Sequence, residues 1–288
     1  MASLKRQNVL SENIDELKRP KLEDTTIIEE ANSDETVDKS SNENLQKQHY
    51  FSNPNFFNPS PRDESKLDEH RVPKDWVNTT KFGSPMFIEE LPFVILPIKC
   101  PIENPLSVKQ LAEKGSNFTW PDALTEIGRK FKNIEKVLKR KPVVTNVIDL
   151  TGTELNDRRY YRGTELYDLH NIRYTKVRTN GGGGRVPHGG IINKFSFTLN
   201  KIRSMFNDLE KRGLRKEHPD FDEDKNLPVV IIHCTHGVNR TGFMISMYLI
   251  RELNMDPEKA MNMFEKCRGY PIKYENYKEE LRAHGLIR

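Results

Sequence analysis

The feature that most constrains this chain is an apolar strand pattern, a polar segment and an apolar helix pattern that follow one another between residues 227 and 253. Leu227–Ile232 is a short run rich in β-branched residues, which predicts a buried strand, and the residues from Gly242 onward predict a buried helix. The ten residues from His233 to Gly242, HCTHGVNRTG, connect the two. A strand that runs into a helix in this way is typical of α/β folds, in which helices cover a parallel sheet.

Strand and helix patterns alternate along the rest of the chain from about residue 69 onward. Predicted strands are Phe93–Ile98, Val143–Leu150 and Tyr174–Val177, and predicted helices are Asp122–Leu138, Ile192–Leu209 and a helix capped by Asp256. This alternation predicts an α/β domain over residues 69–288, with a central, mostly parallel sheet flanked by helices.

Residues 1–68 differ in composition, since they are rich in Glu, Asp, Ser, Asn and Lys. Such a segment buries too little apolar surface to offset its ordering entropy, so we predict a disordered N-terminal tail. Lys5-Arg6 and Lys18–Lys21 are basic clusters with the spacing of a bipartite nuclear-import signal, although basic residues also simply solubilise tails. The sequence therefore predicts a nuclear protein, with the cytoplasm as a second location.

The cysteine content and hydropathy limit the compartment and the partners. Three cysteines, Cys100, Cys234 and Cys267, do not make a disulfide framework and indicate a reducing compartment. No apolar run approaches the roughly 20 residues that span a bilayer, so no membrane partner is expected. The net charge of +4 is too small to argue for nucleic acid by itself.

Cys234 and Arg240 are separated by five residues, a spacing that predicts a phosphate-binding loop. The backbone N–H groups of such a loop can face inward around an oxyanion, next to the positive end of a helix dipole. Arg240 offers a planar fork for two phosphate oxygens, and Gly237 permits the turn. The candidate phosphate-binding residues are Thr235, His236, Gly237, Val238, Asn239, Arg240 and Thr241.

The same arrangement makes Cys234 a candidate nucleophile. Helix N-termini and nearby cations lower a thiol pKa from about 8.5, and the implied chemistry is attack on phosphorus, a phosphocysteine intermediate and hydrolysis. Thr241 and His233 are the candidates for supporting the thiolate. A buried structural cysteine is the alternative, which the fixed offsets of Gly237 and Arg240 disfavour. Cys234 and Arg240 are therefore the candidate catalytic residues.

The segment HCTHGVNRTG resembles the cysteine-phosphatase superfamily, and its inner residues resemble the RNA 5′-triphosphatase branch of mRNA-capping enzymes and stand-alone RNA di- and triphosphatases. Further similar segments are Val72-Pro73 with Trp76, Phe93–Lys99, Val147–Thr151, Arg159–Tyr161, Cys267–Gly269 and Tyr274–Tyr277. The resemblance covers about residues 70–288 and departs from the family at Gly181–Gly184. We interpret this glycine run as a flexible loop that overhangs the site and on which substrate preference could depend. It implies a dual-specificity-phosphatase-like fold and removal of the γ-phosphate, and also of the β-phosphate in some members, from RNA 5′ ends during mRNA capping, without metal or cofactor.

The distribution of charge independently favours an RNA substrate. Residues 171–207 contain seven Lys and Arg residues and no Asp or Glu, so the upstream general acid of tyrosine phosphatases is missing. A phosphate leaving group is a weak base and needs little protonation, unlike a tyrosyl oxygen. Arg159, Arg178 and Arg185 are candidate RNA contacts. A dual-specificity protein phosphatase remains the alternative.

Two carboxylate segments require a separate interpretation. Trp120-Pro121-Asp122 spells a tyrosine-phosphatase acid motif but opens a predicted helix, with Pro121 at its first position. Asp220–Asp224 precedes the Leu227 strand and is interpreted as a surface loop, with a small chance of supplying an acid. The chain has no KxDG nucleotidyl-transfer motif, so a separate guanylyltransferase is a candidate partner.

Overall fold

The computed structural model describes residues 72–286, except 104, 114, 153–159, 162, 180–183, 208–220 and 223. These residues belong to a unit that runs from His70 to Arg288. The predicted disordered tail, residues 1–68, lies outside the described residues. Among those described, no helix has the length and the apolar character that a membrane crossing requires.

A four-stranded parallel sheet forms the centre of this unit. Its strands are β1 (Val94–Lys99), β2 (Lys141–Asp149), β3 (Arg173–Lys176) and β4 (Asn226–Cys234), in the order β1-β4-β2-β3. Strand β4 is internal, and it is buried from Leu227 to Cys234. The continuous apolar sequence of β4 follows from this position, because a strand covered on both faces needs apolar residues on both.

Seven helices pack around the sheet in the described part of the chain. They are α1 (Pro105–Ala112), α2 (Trp120–Leu138), α3 (Gly163–His170), α4 (Gly189–Phe206), α5 (Asn239–Leu253), α6 (Pro257–Arg268) and α7 (Glu275–Leu286). Val229 and Ile231 of β4 pack in an apolar cluster with α2, whereas Val230 and Ile232 pack in a second cluster with α4 to α7. This alternation places helices on both faces of the sheet, so the predicted α/β class is confirmed.

The helix boundaries differ from the predicted ones where a capping group lies upstream of the apolar pattern. Helix α2 begins at Trp120, because Thr119 and Asp122 form a reciprocal capping box and place Pro121 at the second position. Helix α4 begins at Gly189, three residues before Ile192, and the predicted end at Leu209 lies outside the described residues. Asp256 caps α6 as predicted, accepting the N–H of Lys259 at 2.9 Å.

Helix α5 begins at Asn239 rather than at Gly242. Asn239, Arg240 and Thr241 therefore lie in its first turn, where N–H groups have no partner within the helix. Only Thr235 to Val238 remain as a loop between β4 and α5. The shift adds the N-terminal amides of a 15-residue helix to the predicted phosphate loop.

Candidate active site

The candidate site lies at the carboxyl edge of the sheet. Cys234 is the last residue of β4, and β1, β2 and β3 end at the same edge with Lys99, Asp149 and Lys176. Ligand sites of parallel α/β sheets form at this edge, where strand ends and the following loops converge. The topology thus brings the predicted loop together with residues from three other strands.

Every carbonyl group of the four-residue loop is directed away from the site. Each accepts a hydrogen bond from outside the loop: Thr235 from the N–H of Cys100 at 3.0 Å, His236 and Gly237 from Arg268 at 2.9 and 3.0 Å, and Val238 from the N–H of Gly242 at 2.7 Å. Since the carbonyls point outward, the intervening N–H groups are left facing the concave side, which is the nest expected for a tetrahedral oxyanion.

Gly237 is required at its position for two reasons. Its φ angle is 66°, in the left-handed region that side chains disfavour. A Cβ atom on Gly237 would also lie 1.9 Å from the carbonyl oxygen of Ile98 in β1. The glycine predicted from the sequence therefore allows both the turn and the contact between the loop and the sheet.

The guanidinium of Arg240 is held in place by groups from three elements. Its Nη1 donates to the carbonyl of Leu150 at 3.2 Å and to the hydroxyl of Thr179 at 3.3 Å, and its Nη2 donates to the hydroxyl of Thr235 at 3.2 Å. Among the described residues, Nε–H and the second Nη2–H have no partner, so one edge of the fork remains available for phosphate oxygens. Thr179 follows β3, 61 residues before Arg240, and sequence analysis did not identify it.

Cys234 is buried, and its surroundings favour the thiolate. Burial opposes ionisation, but Arg240, the hydroxyl and N–H of Thr241 and the N–H of Gly237 together hold the pKa of Cys234 below its ordinary value. The buried hydroxyl of Thr241 has no hydrogen-bond partner in the described part of the chain. It is therefore free to donate to the ionised sulfur, whose pKa it helps to lower.

His233 supports the loop from beneath rather than contacting the thiol. Its Nδ1 lies 3.2 Å from the carbonyl oxygen of Cys234, and its Nε2 lies 2.6 Å from the hydroxyl of Tyr161. Because a carbonyl only accepts, Nδ1 carries the proton and Nε2 accepts from Tyr161. Burial lowers the pKa of His233, which keeps the ring neutral and fixes this tautomer.

A buried charged pair lies next to His233. Burial would raise the pKa of Asp149, but Lys176, whose Nζ is 2.9 Å from Oδ2, and the N–H of Thr151 bring it below its usual range. A positively charged His233 would lower the pKa of Asp149 further, but burial disfavours the charged form of His233. Its Nδ1 is 4.0 Å from Asp149, too far for a hydrogen bond. The pair fixes the end of β2, where Leu150 supplies the carbonyl that orients Arg240.

Arg268, the last residue of α6, is a further site residue that the sequence did not identify as one. It is 1% exposed, and besides the two loop carbonyls it donates to the carbonyl and hydroxyl of Thr80. Burial lowers the pKa of Arg268 to about 10, so it stays charged at neutral pH. Arg268 therefore holds the outer side of the loop and ties it to the segment that precedes β1.

The pocket above Cys234 encloses about 170 Å³. Its lining residues come from the loop, from α5 and from two segments outside them: Cys234, Thr235, His236, Asn239, Arg240, Gly184, Tyr274 and Tyr277. None of these described lining residues is an Asp or a Glu. Gly237, Val238 and Thr241 are not among the residues that line the pocket. His236 lines it and donates from Nε2 to the carbonyl of Lys74 at 2.7 Å.

Tyr274 and Tyr277 were not predicted as site residues, whereas Gly184 belongs to the Gly181–Gly184 segment that the sequence predicts as a loop over the site; residues 181–183 lie outside the described residues. Tyr274–Tyr277 was noted only as a segment similar to stand-alone RNA phosphatases, and no local pattern connects it to Cys234. Helix α7 packs against α5, with Tyr277 at 4.9 Å from Phe243 between ring centroids, and this packing brings the two tyrosines to the pocket. The Tyr277 hydroxyl donates to the carbonyl of Arg185 at 2.9 Å, which places Gly184 opposite the loop.

Two of the three candidate RNA contacts are exposed, and the third is not among the described residues. Arg178 is exposed and lies next to Thr179, and its Nε donates to the carbonyl of Gly152 at 3.0 Å. Arg185 is exposed and follows the pocket residue Gly184. Arg159 lies outside the described residues.

The carboxylates considered as general acids are either engaged in a helix cap or far from Cys234, where the structure describes them. Asp122 accepts the N–H of Thr119 at 3.0 Å and belongs to the α2 cap, as predicted. Asp222 and Asp224 precede the opposite end of β4, which places them about 25 Å from Cys234 by the rise of a strand. Asp220 and Glu223 are not among the described residues. The described chain also holds no group of three or more His, Cys, Asp or Glu residues arranged for a metal ion.

Comparison with known proteins shows the family of this chain. The family model described as dual specificity phosphatase, catalytic domain, matches residues 221–286. The chain is 36% identical over 153 residues to the RNA/RNP complex-1-interacting phosphatase of Bos taurus, a match that covers 53% of this chain and 38% of that protein. It is 31% identical over 147 residues to the tyrosine-protein phosphatase of Autographa californica nuclear polyhedrosis virus, covering 51% of this chain and 72% of the viral protein. The crystal structure of PTPMT1 in complex with PI(5)P gives a TM-score of 0.43 at 14% identity, covering 72% of this chain and 96% of that one.

The strand–loop–helix unit, the lowered thiol pKa and the arginine fork are the features of a cysteine phosphatase. The chain belongs to the family of the viral tyrosine-protein phosphatase, and its residues 221–286 match the catalytic domain of dual specificity phosphatases. This is a family of phosphatases, which are hydrolases. The chain spans 38% of the length of the bovine relative.

Proposed function

We propose that this phosphatase hydrolyses the γ-phosphate of RNA 5′-triphosphate ends. The observation that carries the proposal is a pocket with an activated cysteine and an arginine fork but without a carboxylate among its described lining residues. A site without a general acid is suited to a leaving group that is already a weak base. The 5′-diphosphate end of RNA is such a group, whereas tyrosyl and seryl oxygens are not.

The reaction follows from the contacts around Cys234. The thiolate attacks the γ-phosphorus, an S–P bond forms, and the bond to the bridging oxygen breaks, so that RNA 5′-diphosphate departs with the electron pair. Loop N–H groups and Arg240 stabilise the charge on the transferring group. Water then attacks the phosphocysteine, and the sulfur leaves as a thiolate that the Thr241 hydroxyl stabilises. The product is inorganic phosphate, and a second cycle on the diphosphate end would remove the β-phosphate.

The charge around the pocket supports an anionic chain as the substrate. Arg178 and Arg185 are exposed near Thr179 and Gly184, and Lys273 is exposed next to the pocket residue Tyr274. Contacts between such residues and backbone phosphates position RNA without reading its sequence. The name of the bovine relative, an RNA/RNP complex-1-interacting phosphatase, supports the same class of partner.

A series of aryl phosphates that differ in the basicity of the leaving phenol tests the acid-free mechanism. We expect kcat to fall steeply as the leaving group becomes more basic, because none of the described residues that line the pocket is a carboxylic acid that could protonate it. RNA 5′-triphosphate should then be hydrolysed with a much higher kcat/KM than a phosphotyrosine peptide. A flat dependence on leaving-group basicity, together with faster hydrolysis of the peptide, would assign the chain to the protein phosphatases instead.

Two further proposals, the cellular location of the protein and a partner enzyme, rest on the sequence alone. We propose nuclear import through the basic clusters of residues 5–6 and 18–21, and cooperation with a separate guanylyltransferase that caps the diphosphate product. A fluorescent fusion in which Lys18, Arg19 and Lys21 are replaced by Ala should lose nuclear accumulation. Unchanged nuclear fluorescence would show that these residues do not act as an import signal.

A further inference from the structure

The size of the pocket determines which part of a substrate can lie inside it. Ligand pockets that enclose a drug-sized molecule measure about 300–1,000 Å³, and the pocket above Cys234 measures about 170 Å³. This volume accommodates phosphate groups but not a nucleotide. The nucleoside of a bound 5′-triphosphate must therefore lie at the rim.

Tyr274 is the exposed aromatic residue at this rim. Its side chain lines the pocket opposite the phosphate loop and is 39% exposed. Within the described part of the chain its hydroxyl makes no hydrogen bond, in contrast to Tyr277, which donates to Arg185. The ring of Tyr274 thus offers apolar surface to whatever lies over the pocket.

The position of the Tyr274 ring is fixed by its neighbours. The ring packs edge-on against Tyr277 with 5.3 Å between centroids. Gly184 packs closely on the other side, since a Cβ there would lie 2.8 Å from the ring, and Asn276 holds Gly184 by donating to its carbonyl at 2.7 Å. The N–H of Lys273 donates to Oδ1 of Asn239, the first residue of α5, at 2.7 Å, so the start of this helix and the ring are positioned together. A ring ordered before binding loses little entropy when a ligand stacks on it.

We propose that Tyr274 is the stacking platform for the first nucleobase of the RNA 5′ end. The assignment rests on the proposed function and specifies how the same site distinguishes a nucleic acid from a bare polyphosphate. Exposed Arg185 and Lys273 flank the ring, and no ion pair engages their side chains within the described residues. They can accompany the phosphates from the pocket to the base. Aromatic stacking accepts any base, because every base has a π-face.

The test compares RNA 5′-triphosphate with inorganic tripolyphosphate, which has no base. In Tyr274→Ala the ratio of kcat/KM for RNA to kcat/KM for tripolyphosphate should fall about 5- to 150-fold, which is the range of base–aromatic stacking, and the loss should appear in KM. Tyr274→Phe should retain the ratio, since stacking does not use the hydroxyl. Phe197→Ala is the matched control, because Phe197 is 70% exposed and lies outside the pocket.

An RNA with an abasic 5′ nucleotide isolates the interaction with the base. The wild type acting on abasic RNA should behave like Tyr274→Ala acting on normal RNA, and combining the two deletions should add no further loss. An unchanged ratio in Tyr274→Ala, or an equal fall in Tyr274→Phe, would overturn the stacking role. A wild type that releases no phosphate from RNA would instead overturn the proposed function itself. A phosphotyrosine peptide that loses as much as RNA in Tyr274→Ala would show that the ring serves a protein substrate.

Discussion

At the scale of single residues, the chemistry of Cys234 depends on the balance between its burial and a few donors. Burial raises the pKa of the thiol, and Arg240, Thr241 and the N–H of Gly237 lower it by a greater amount. The donors could be predicted from the sequence because they lie within seven residues of the cysteine on one strand–loop–helix unit. Thr179 could not, since it reaches Arg240 from the end of another strand.

Replacing the Thr241 hydroxyl should raise the pKa of the Cys234 thiol. Thr241→Val keeps the side-chain shape but removes a donor to the thiolate, so the protonated form becomes relatively more stable. Alkylation by iodoacetamide follows the thiolate, and its rate against pH should give a midpoint below about 8.5 in the wild type and a higher one in the variant. Identical midpoints, or a wild-type midpoint at that of a free thiol, would contradict the assigned role of Thr241.

At the scale of elements, local patterns predicted β4 and the core of α5, whereas the contacts between elements were not predictable. Helix α7 has five charged residues among its 12 and buries chiefly Tyr277 and Leu281, so its sequence shows little of the apolar face that reveals a helix. Its contribution to the site depends on packing against α5. Arg268 is similar, because its acceptors lie 31 and 32 residues away in the chain.

Removing the guanidinium of Arg268 should destabilise the protein and misplace the phosphate loop. Arg268→Met removes the donor from the buried carbonyl of Gly237 and from the partly buried carbonyls of His236 and Thr80. Because one buried unsatisfied group costs about 1–3 kcal/mol, we expect the free energy of unfolding in urea to fall by about that amount. We expect kcat for a small aryl phosphate to fall with it.

Arg282→Met is the control for this prediction. Arg282 pairs with Glu258 and Glu275 on the surface of the molecule, where ion pairs are screened by water and contribute little to stability. The control should therefore keep nearly all of its stability and its kcat. If Arg268→Met were as stable and as active as Arg282→Met, Arg268 would not be the support of the loop.

At the scale of the whole molecule, the net charge of +4 conceals an uneven distribution of charge. Residues 171–207 carry basic side chains without acidic ones, and two of these side chains, Arg178 and Arg185, lie close to the site. The overall charge could be read from the composition, but which of the basic residues lie beside the pocket depends on the fold.

Phosphate release from RNA should therefore depend on salt more steeply than release from a small aryl phosphate. In Arg178→Ala/Arg185→Ala the slope of log kcat/KM against log salt should decrease by about 1.4, since each contact with a single strand contributes about 0.7. Lys132→Ala/Lys136→Ala changes the net charge equally on exposed positions of α2 and should leave the slope unchanged. Equal slopes in both double variants would show that Arg178 and Arg185 do not contact the RNA.

The proposed mechanism requires that Cys234 attack the γ-phosphorus of an RNA 5′-triphosphate without a metal ion. The decisive experiment measures the release of labelled phosphate from γ-labelled RNA in EDTA, with the wild type and Cys234→Ser compared at equal concentration. We expect rapid release by the wild type and loss of release in the variant, which lacks the acidic thiol but keeps the loop. Release that persists in Cys234→Ser, or that stops when EDTA is added to the wild type, would contradict this mechanism.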